Sequence, residues 1–336
     1  MARRKLTYMV VDTETATLPF ANEIAGDDAE RKKRIAIAKP LIYDIGWTIC
    51  DRAGNILDSK QFLIAETFSV MPIFNTAYYR DKRPLYIAML ERGETCVKSW
   101  NEVMKIFIAD LATVDAVGAF NAMFDFKKAL PFTELYISKI YSPDFYSWEE
   151  MQYKICEKIA NKALDDKPKR EFEPEIFKFR GESYPLFDLW GLSVSHLLNN
   201  VTYKNKCLEH GLLTNSGTFF KTSAESTYQY LCDKYDFVES HTALDDATIE
   251  SYILHKIAQK HAITMGIKYF PFADLGFTYD FCRRLKRPKI NECKIVFDKI
   301  KEYLDDKEAQ EVNNAYTQRL FKILTNLAAY AEIPLY

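Results

Sequence analysis

The run KLTYMVVDTET, residues 5–15, constrains the fold more than any other stretch. Its β-branched and aromatic residues predict a buried strand, yet it closes on carboxylates. Asp12 and Glu14 stand two apart, so a strand projects both side chains on one face. A buried strand that delivers acids at its C-terminal end needs a sheet around it and something to meet the charge.

Later segments supply that sheet. IYDIGWTICDRAGNILDSKQFLI reads as two strands flanking the turn-rich DRAGN, hence a hairpin. DAVGAF is another short buried strand, and YPLFDLWGLSVSHLL a strand running into a helix. Helical spacing recurs in SWNEVMKIFIADLA behind a Ser99 cap and in NAMFDFKKAL after a turn. It recurs again in TSAESTYQYLCDKY, where Thr222 and Glu225 make a capping-box pattern, and in HTALDDATIESYILHKIAQKHA. The order β-β-β-α-β-α-β-α-α predicts an α/β protein, a mixed β-sheet flanked by helices.

Two stretches interrupt that order, at about residues 18–40 (GDDAERKKRIAIA) and 131–184 (SWEEMQYKICEKIANKAL, then DDKPKREFEPE). Residues 1–262 are therefore expected to form one domain carrying two insertions. Beyond about residue 263, ECKIVFDKIKEYLDD and EAQEVNNAYTQRLFKILTNLAAYA predict a mostly helical C-terminal extension over 263–336.

Which acids matter follows from the last long helix of the domain. From Asp246 the steps i+3, i+7 and i+11 land on Ile249, Ile253 and Ile257, an apolar stripe that faces a core. From Asp245 the comparable steps reach Thr248, Tyr252 and Lys256, a wetter face. Asp245 therefore reads as an exposed first-turn acid that complements the helix dipole. Asp246 points inward, either as a capping carboxylate or as a ligand. Asp12 and Glu14 end the first strand, and Asp125 follows the fourth, so strand ends can bring all four acids together. Four carboxylates in one place repel unless cations hold them. Oxygen ligands of this kind suit Mg²⁺ or Mn²⁺. Two such ions about 3.5–4 Å apart can clamp the attacking and leaving oxygens of a phosphodiester. His241, just ahead of the helix, is placed to take the proton of the attacking water.

VVDTET, GAFNAMFD and HTALDD resemble, in order, the three motifs of the DnaQ-like 3′–5′ exonucleases of the DEDDh class. The family's Asp-x-Glu falls on Asp12 and Glu14, its Asn-x-x-x-Asp on Asn121 and Asp125, and its His-x-Ala-x-x-Asp on His241, Ala243 and Asp246. The resemblance spans about residues 5–262. It implies a ribonuclease H-like fold and two divalent ions, Mg²⁺ or Mn²⁺, on Asp12, Glu14, Asp125 and Asp246, with His241 as general base. It implies hydrolysis of terminal phosphodiesters of DNA or RNA to nucleoside 5′-monophosphates, with a 3′ end, preferably single-stranded, as partner. Thr13, Thr15, Asn121 and Phe124 are then expected at the substrate. Leu18 is either a wedge for the terminal base or an apolar anchor for the insertion that follows it. A nucleic-acid-binding or assembly protein built on a nuclease domain, and an exoribonuclease that trims short oligonucleotides, are the competing expectations. The insertions and the extension are the expected places for a protein partner.

Composition excludes other classes. Among 336 residues, 45 Lys and Arg stand against 47 Asp and Glu, so no global charge draws the chain to nucleic acid or to an anionic membrane. The run RRLKRPK, residues 283–289, has five basic residues in seven and either grips phosphates or is a solvated face. Seven scattered cysteines predict a reducing, cytoplasmic setting, and no apolar run is long enough for a signal or a membrane span. There is no glycine-rich phosphate loop and no Gly-x-Ser-x-Gly elbow. Cys207 and His210 have the spacing of half a zinc site but no second half. His196, His255 and His261 fall in helical patterns and read as fillers, while Phe120, Phe124 and Phe126 flank the second motif.

Overall fold

The computed structural model describes residues 6–17, 26–29, 40–140, 154, 176–198, 200–214 and 219–260, with isolated helical positions between 294 and 328. Leu18, most of both expected insertions, His261 and the RRLKRPK run lie outside the described residues. The protein is a mixed α/β structure built on a seven-stranded sheet with helices packed on it. The strands are β1 (Thr7–Ala16), β2 (Leu41–Asp51), β3 (Ile56–Ile64), β4 (Cys96–Lys98), β5 (Ala116–Ala119), β6 (Ile176–Phe179) and β7 (Glu182–Asp188). They lie in the order β4-β3-β2-β1-β5-β7-β6.

The expected hairpin is β2–β3, antiparallel, closed by Gly54 N and Asn55 O bonding back to Asp51 at 3.0 Å each. β1 is antiparallel to β2 and parallel to β5, and β5 is parallel to β7. The C-terminal ends of β1, β5 and β7 therefore open on the same side, where ligands of open α/β sheets bind. Two strands escape the sequence pattern. β4 is three residues long and exists through its pairing with β3, a contact no local signal announces. β6 sits inside the stretch read as an insertion. It turns into β7 through Arg180 (φ 46) and Gly181 (φ 91), the two left-handed positions of a tight hairpin.

The chain divides into two compact units. The first comprises Met1–Arg170, Glu175–Asp188 and His241–Ser251. β2 is buried along its whole length, and its Trp47 packs edge-on against Phe107 while Trp47 Nε1 donates to Asp110 at 2.9 Å. Phe107 belongs to the Trp100–Leu111 helix, which starts at the expected cap: Ser99 and Glu102 bond reciprocally. Its buried face is Trp100, Val103, Met104, Phe107 and Leu111, each large side chain contributing about 1.5–3 kcal/mol of burial.

The second unit comprises Glu171–Pro174, Leu189–Ser240 and Tyr252–Tyr336. Its Val201–His210 helix is capped by Asn200 and ends at Gly211 (φ 66). The capping-box expectation is off by one residue. Ser223, not Thr222, caps the Ala224–Cys232 helix, accepting from Ser226 N at 3.2 Å. Thr222 is drawn away because its hydroxyl accepts from Trp190 Nε1 at 2.9 Å, and Glu225 accepts from Glu239 N at 3.1 Å. Among the described residues no helix is long and apolar enough to cross a membrane.

Candidate active site

Three segments, all in the first unit, build the site. β1 brings Asp12 and Glu14 onto one face by strand alternation. Register places Asp12 opposite Gly46 and Glu14 opposite Asp44, so Asp44 shares the acid face. A bulge follows directly, between Glu14 and Thr15. The second segment leaves β5 through Asn121, whose left-handed backbone (φ 70) turns the chain into the Ala122–Phe124 helix. Asp125 then opens a π-helical turn, Asp125–Ala129, a local widening common at functional sites. The third is the start of the Ala243–Lys260 helix, preceded by His241 at φ 50.

Gly46 explains how that helix comes so near. A Cβ there would collide with the backbone of Ala243 and Leu244, so only glycine lets β2 and the helix start approach. Asp44 completes the junction, its Oδ2 accepting Ala243 N at 3.0 Å and both oxygens accepting from Gln61. The helix delivers its aspartates as the face argument requires. Asp245 is exposed and accepts from Thr242 Oγ1 at 2.9 Å; Asp246 is buried, as are Ile249, Ile253 and Ile257.

One donor from each of Glu14, His241 and Asp246 lies within 4.8 Å of the other two. His241 Nδ1 is 3.6 Å from Asp246 Oδ2, and the imidazole stacks on Tyr79, centroids 4.3 Å apart and planes 15° off parallel. Asp246 Oδ1 is buried with no hydrogen bond among the described residues, an arrangement costly for a carboxylate oxygen unless a cation meets it. The carboxylate oxygens of Glu14 and Asp246 fit Mg²⁺ or Mn²⁺, with the imidazole beside them.

Comparison with protein-family models, with curated proteins and with solved structures finds no match.

Asp12 and Asp125 stand outside the compact trio. Asp12 feels Glu250, Asp246, Asp125 and Glu14, and burial together with these charges pushes its carboxyl well above the usual range. Thr13, which alternates to the other side of β1 from Asp12 and Glu14, donates to Asp125 Oδ1 at 2.6 Å. Asp125 is 3% exposed; burial raises its carboxyl, and the Thr13 hydroxyl partly offsets this. Thr13 thus spends its hydroxyl inside the protein. Thr15, Asn121 and Phe124 are half-buried; Asn121 N donates to Asp188 Oδ1 at 3.3 Å, and Phe124 packs against the hydrophobic core. Phe126 belongs to the core, edge-on to Phe177.

Three buried acids of the site escaped the motif reading: Asp44, Asp188 and Glu250. Asp44 interrupts the apolar run LIYDIG, and Asp188 ends β7 in YPLFD as Asp12 ends VVD. Glu250 lies one helical turn beyond Asp246 on the inward face, and it accepts from Phe120 N at 3.0 Å. Tyr79 had no such signal, because nothing local ties it to His241. Away from the site, Cys207 is a buried thiol and His210 stacks on Tyr235 with centroids 3.6 Å apart. Neither joins a group of metal donors among the described residues.

Proposed function

We propose that the chain is a metal-dependent 3′–5′ exonuclease of ribonuclease H-like fold, hydrolysing terminal phosphodiesters of DNA or RNA. The observation that carries this reading is the meeting of Glu14 with His241 and Asp246, of which Asp246 keeps a buried oxygen with no hydrogen bond among the described residues. The parallel run of β1, β5 and β7, with Asp12 and Glu14 in the C-terminal half of β1 and Asp188 the last residue of β7, supports it.

Divalent ions, when bound, would supply charge neutralisation for the attacking and leaving oxygens. Glu14 and Asp246 would hold them, with Asp12 alongside and Asp125 kept in place by Thr13. His241 takes the proton of the attacking water, and the nucleoside 5′-monophosphate leaves. The half-buried His241 ring, with Nδ1 3.6 Å from Asp246 Oδ2, stands beside the carboxylates that would hold the ions and so within reach of a water bound there.

The test is the shortening of end-labelled single- and double-stranded DNA and RNA with Mg²⁺, with Mn²⁺ and with a chelator. Stepwise shortening from the 3′ end, lost in the chelator and in Asp12→Asn and Asp246→Asn variants, is the expected result. Full activity in either variant, or a stable complex that is never shortened, refutes the assignment; the latter outcome makes the protein a binder.

A further inference from the structure

We propose that Tyr79 is a positioning residue for His241, holding the imidazole at the angle from which it serves the site. The catalytic part of this inference rests on the hydrolase reading above.

His241 does not hold itself. It precedes the first residue of the Ala243–Lys260 helix, and its backbone is left-handed at φ 50, a conformation that a non-glycine residue keeps only when its surroundings fix it. The distance between Nδ1 and Asp246 Oδ2, 3.6 Å, constrains one edge of the ring. Its face lies against Tyr79, 4.3 Å away between centroids and within 15° of parallel, so the phenol ring bounds the plane in which the imidazole can turn.

Tyr79 is itself fastened to the strand that carries Glu14. Thr76 Oγ1 accepts from Thr17 N at 2.8 Å and lies 2.9 Å from Thr17 O, one residue past the end of β1. Ile73, Phe74 and Ala77 bury the segment behind it. Around the ring, Lys82 Nζ lies over its face 4.7 Å from the centroid, and Tyr78 meets it at right angles at 4.9 Å. The Tyr79–His241 stack therefore closes a loop between two ends of the site: β1 with Glu14 on one side, the helix start with Asp246 on the other. A ring that locks this closure controls where the imidazole points, and small misplacements of a catalytic group are expensive in rate.

The experiment uses the full chain with Tyr79→Phe, Tyr79→Leu and Tyr79→Ala. The first readout is the Cε1–Hε1 signal of His241 in ring-labelled histidine spectra, identified by its loss in His241→Ala. The stacked phenol should shift Hε1 upfield; Phe should keep that shift, and Leu and Ala should abolish it. The second is steady-state shortening of an end-labelled single strand. Leu and Ala should lower kcat on the order of tenfold to a hundredfold with KM unchanged, and Phe should restore it. Leu keeps apolar volume, so it carries the test if Ala unfolds. Wild-type kcat in the Leu variant, or an unmoved Hε1 signal, overturns the proposal while leaving the hydrolase reading intact. A wild-type protein that shows the upfield signal yet shortens no strand sinks the hydrolase reading, and the catalytic role of Tyr79 with it.

Discussion

Asp44 Oδ2 accepts the Ala243 N–H at 3.0 Å, joining the middle of the sheet to the first turn of a helix 199 residues further along the chain. This bond ties the segment that carries His241 and Asp246 to the strand pair that carries Glu14, because Asp44 lies opposite Glu14 in the sheet. Asp44→Ala leaves the Ala243 N–H and the Gln61 amide buried without partners. It should cost about 1–3 kcal/mol in urea unfolding and abolish strand shortening. A loss below half of that range would mean that the helix start is held elsewhere.

Asp44 also gives a pH signature. Burial raises its carboxyl from 3.8 to about 6, against the opposing bonds from Ala243 and Gln61. A group raised in the folded state contributes stability that is complete below its unfolded value and lost as pH rises through the folded one. In chelator, Asp44→Asn should therefore gain on the wild type between pH 4 and pH 7, by roughly 2–3 kcal/mol. Paired denaturation curves at the two pH values measure this; a constant gap would contradict it.

Gly46 is the steric counterpart of that bond. Gly46→Ala drives a methyl into the backbone of Ala243 and Leu244, which cannot rotate away as a side chain can. The variant should lose about 1–3 kcal/mol in urea unfolding and its strand-shortening activity together; full activity in Gly46→Ala would contradict this.

Thr13 tests whether Asp125 belongs to the working site. Thr13→Val keeps the shape of the side chain and removes the hydroxyl that donates to Asp125 at 2.6 Å. The expected stability loss is about 1 kcal/mol, with a larger proportional fall in kcat; Thr13→Ser should recover both. Unaltered turnover in the Val variant would remove Asp125 from the mechanism.

Metal binding should be steeply pH-dependent. Asp12 and Asp125 both have carboxyls raised by burial and by neighbouring acids. Ions bind the deprotonated forms, so binding releases protons and weakens as pH falls. Mn²⁺ at about a hundred times its Kd should stabilise the protein by roughly 2.7 kcal/mol at pH 8, less at pH 6, and not at all in Asp246→Asn. Thermal scans with equal Mn²⁺ shifts at both pH values would rule this out.

His241 sits among the donors of the trio and is also the proposed base. His241→Ala should slow turnover on the order of 10²–10⁴-fold while the Mn²⁺ Kd changes no more than about twofold. A Kd that collapses with turnover would make His241 a ligand instead.

The sequence by itself determined the elements that have a period or a punctuation mark: β1 with its paired acids, the β2–β3 hairpin, the Ser99–Glu102 capping box, and the inward face of the last helix that separates Asp246 from Asp245. These depend on alternation, helical spacing and local hydrogen bonds, all written within a few residues of each other. Tertiary structure alone decided that Asp44, Asp188 and Glu250 join the acids, that Thr13 turns to Asp125, and that Tyr79 stacks on His241. It also decided that β4 and β6 are strands. The physical reason is the same in each case. A carboxylate inside an apolar run, a half-buried tyrosine or a three-residue strand acquires its role from a partner far away in the chain. That partner arrives only when a close approach such as Gly46 against Ala243 and Leu244 has brought the distant segments together.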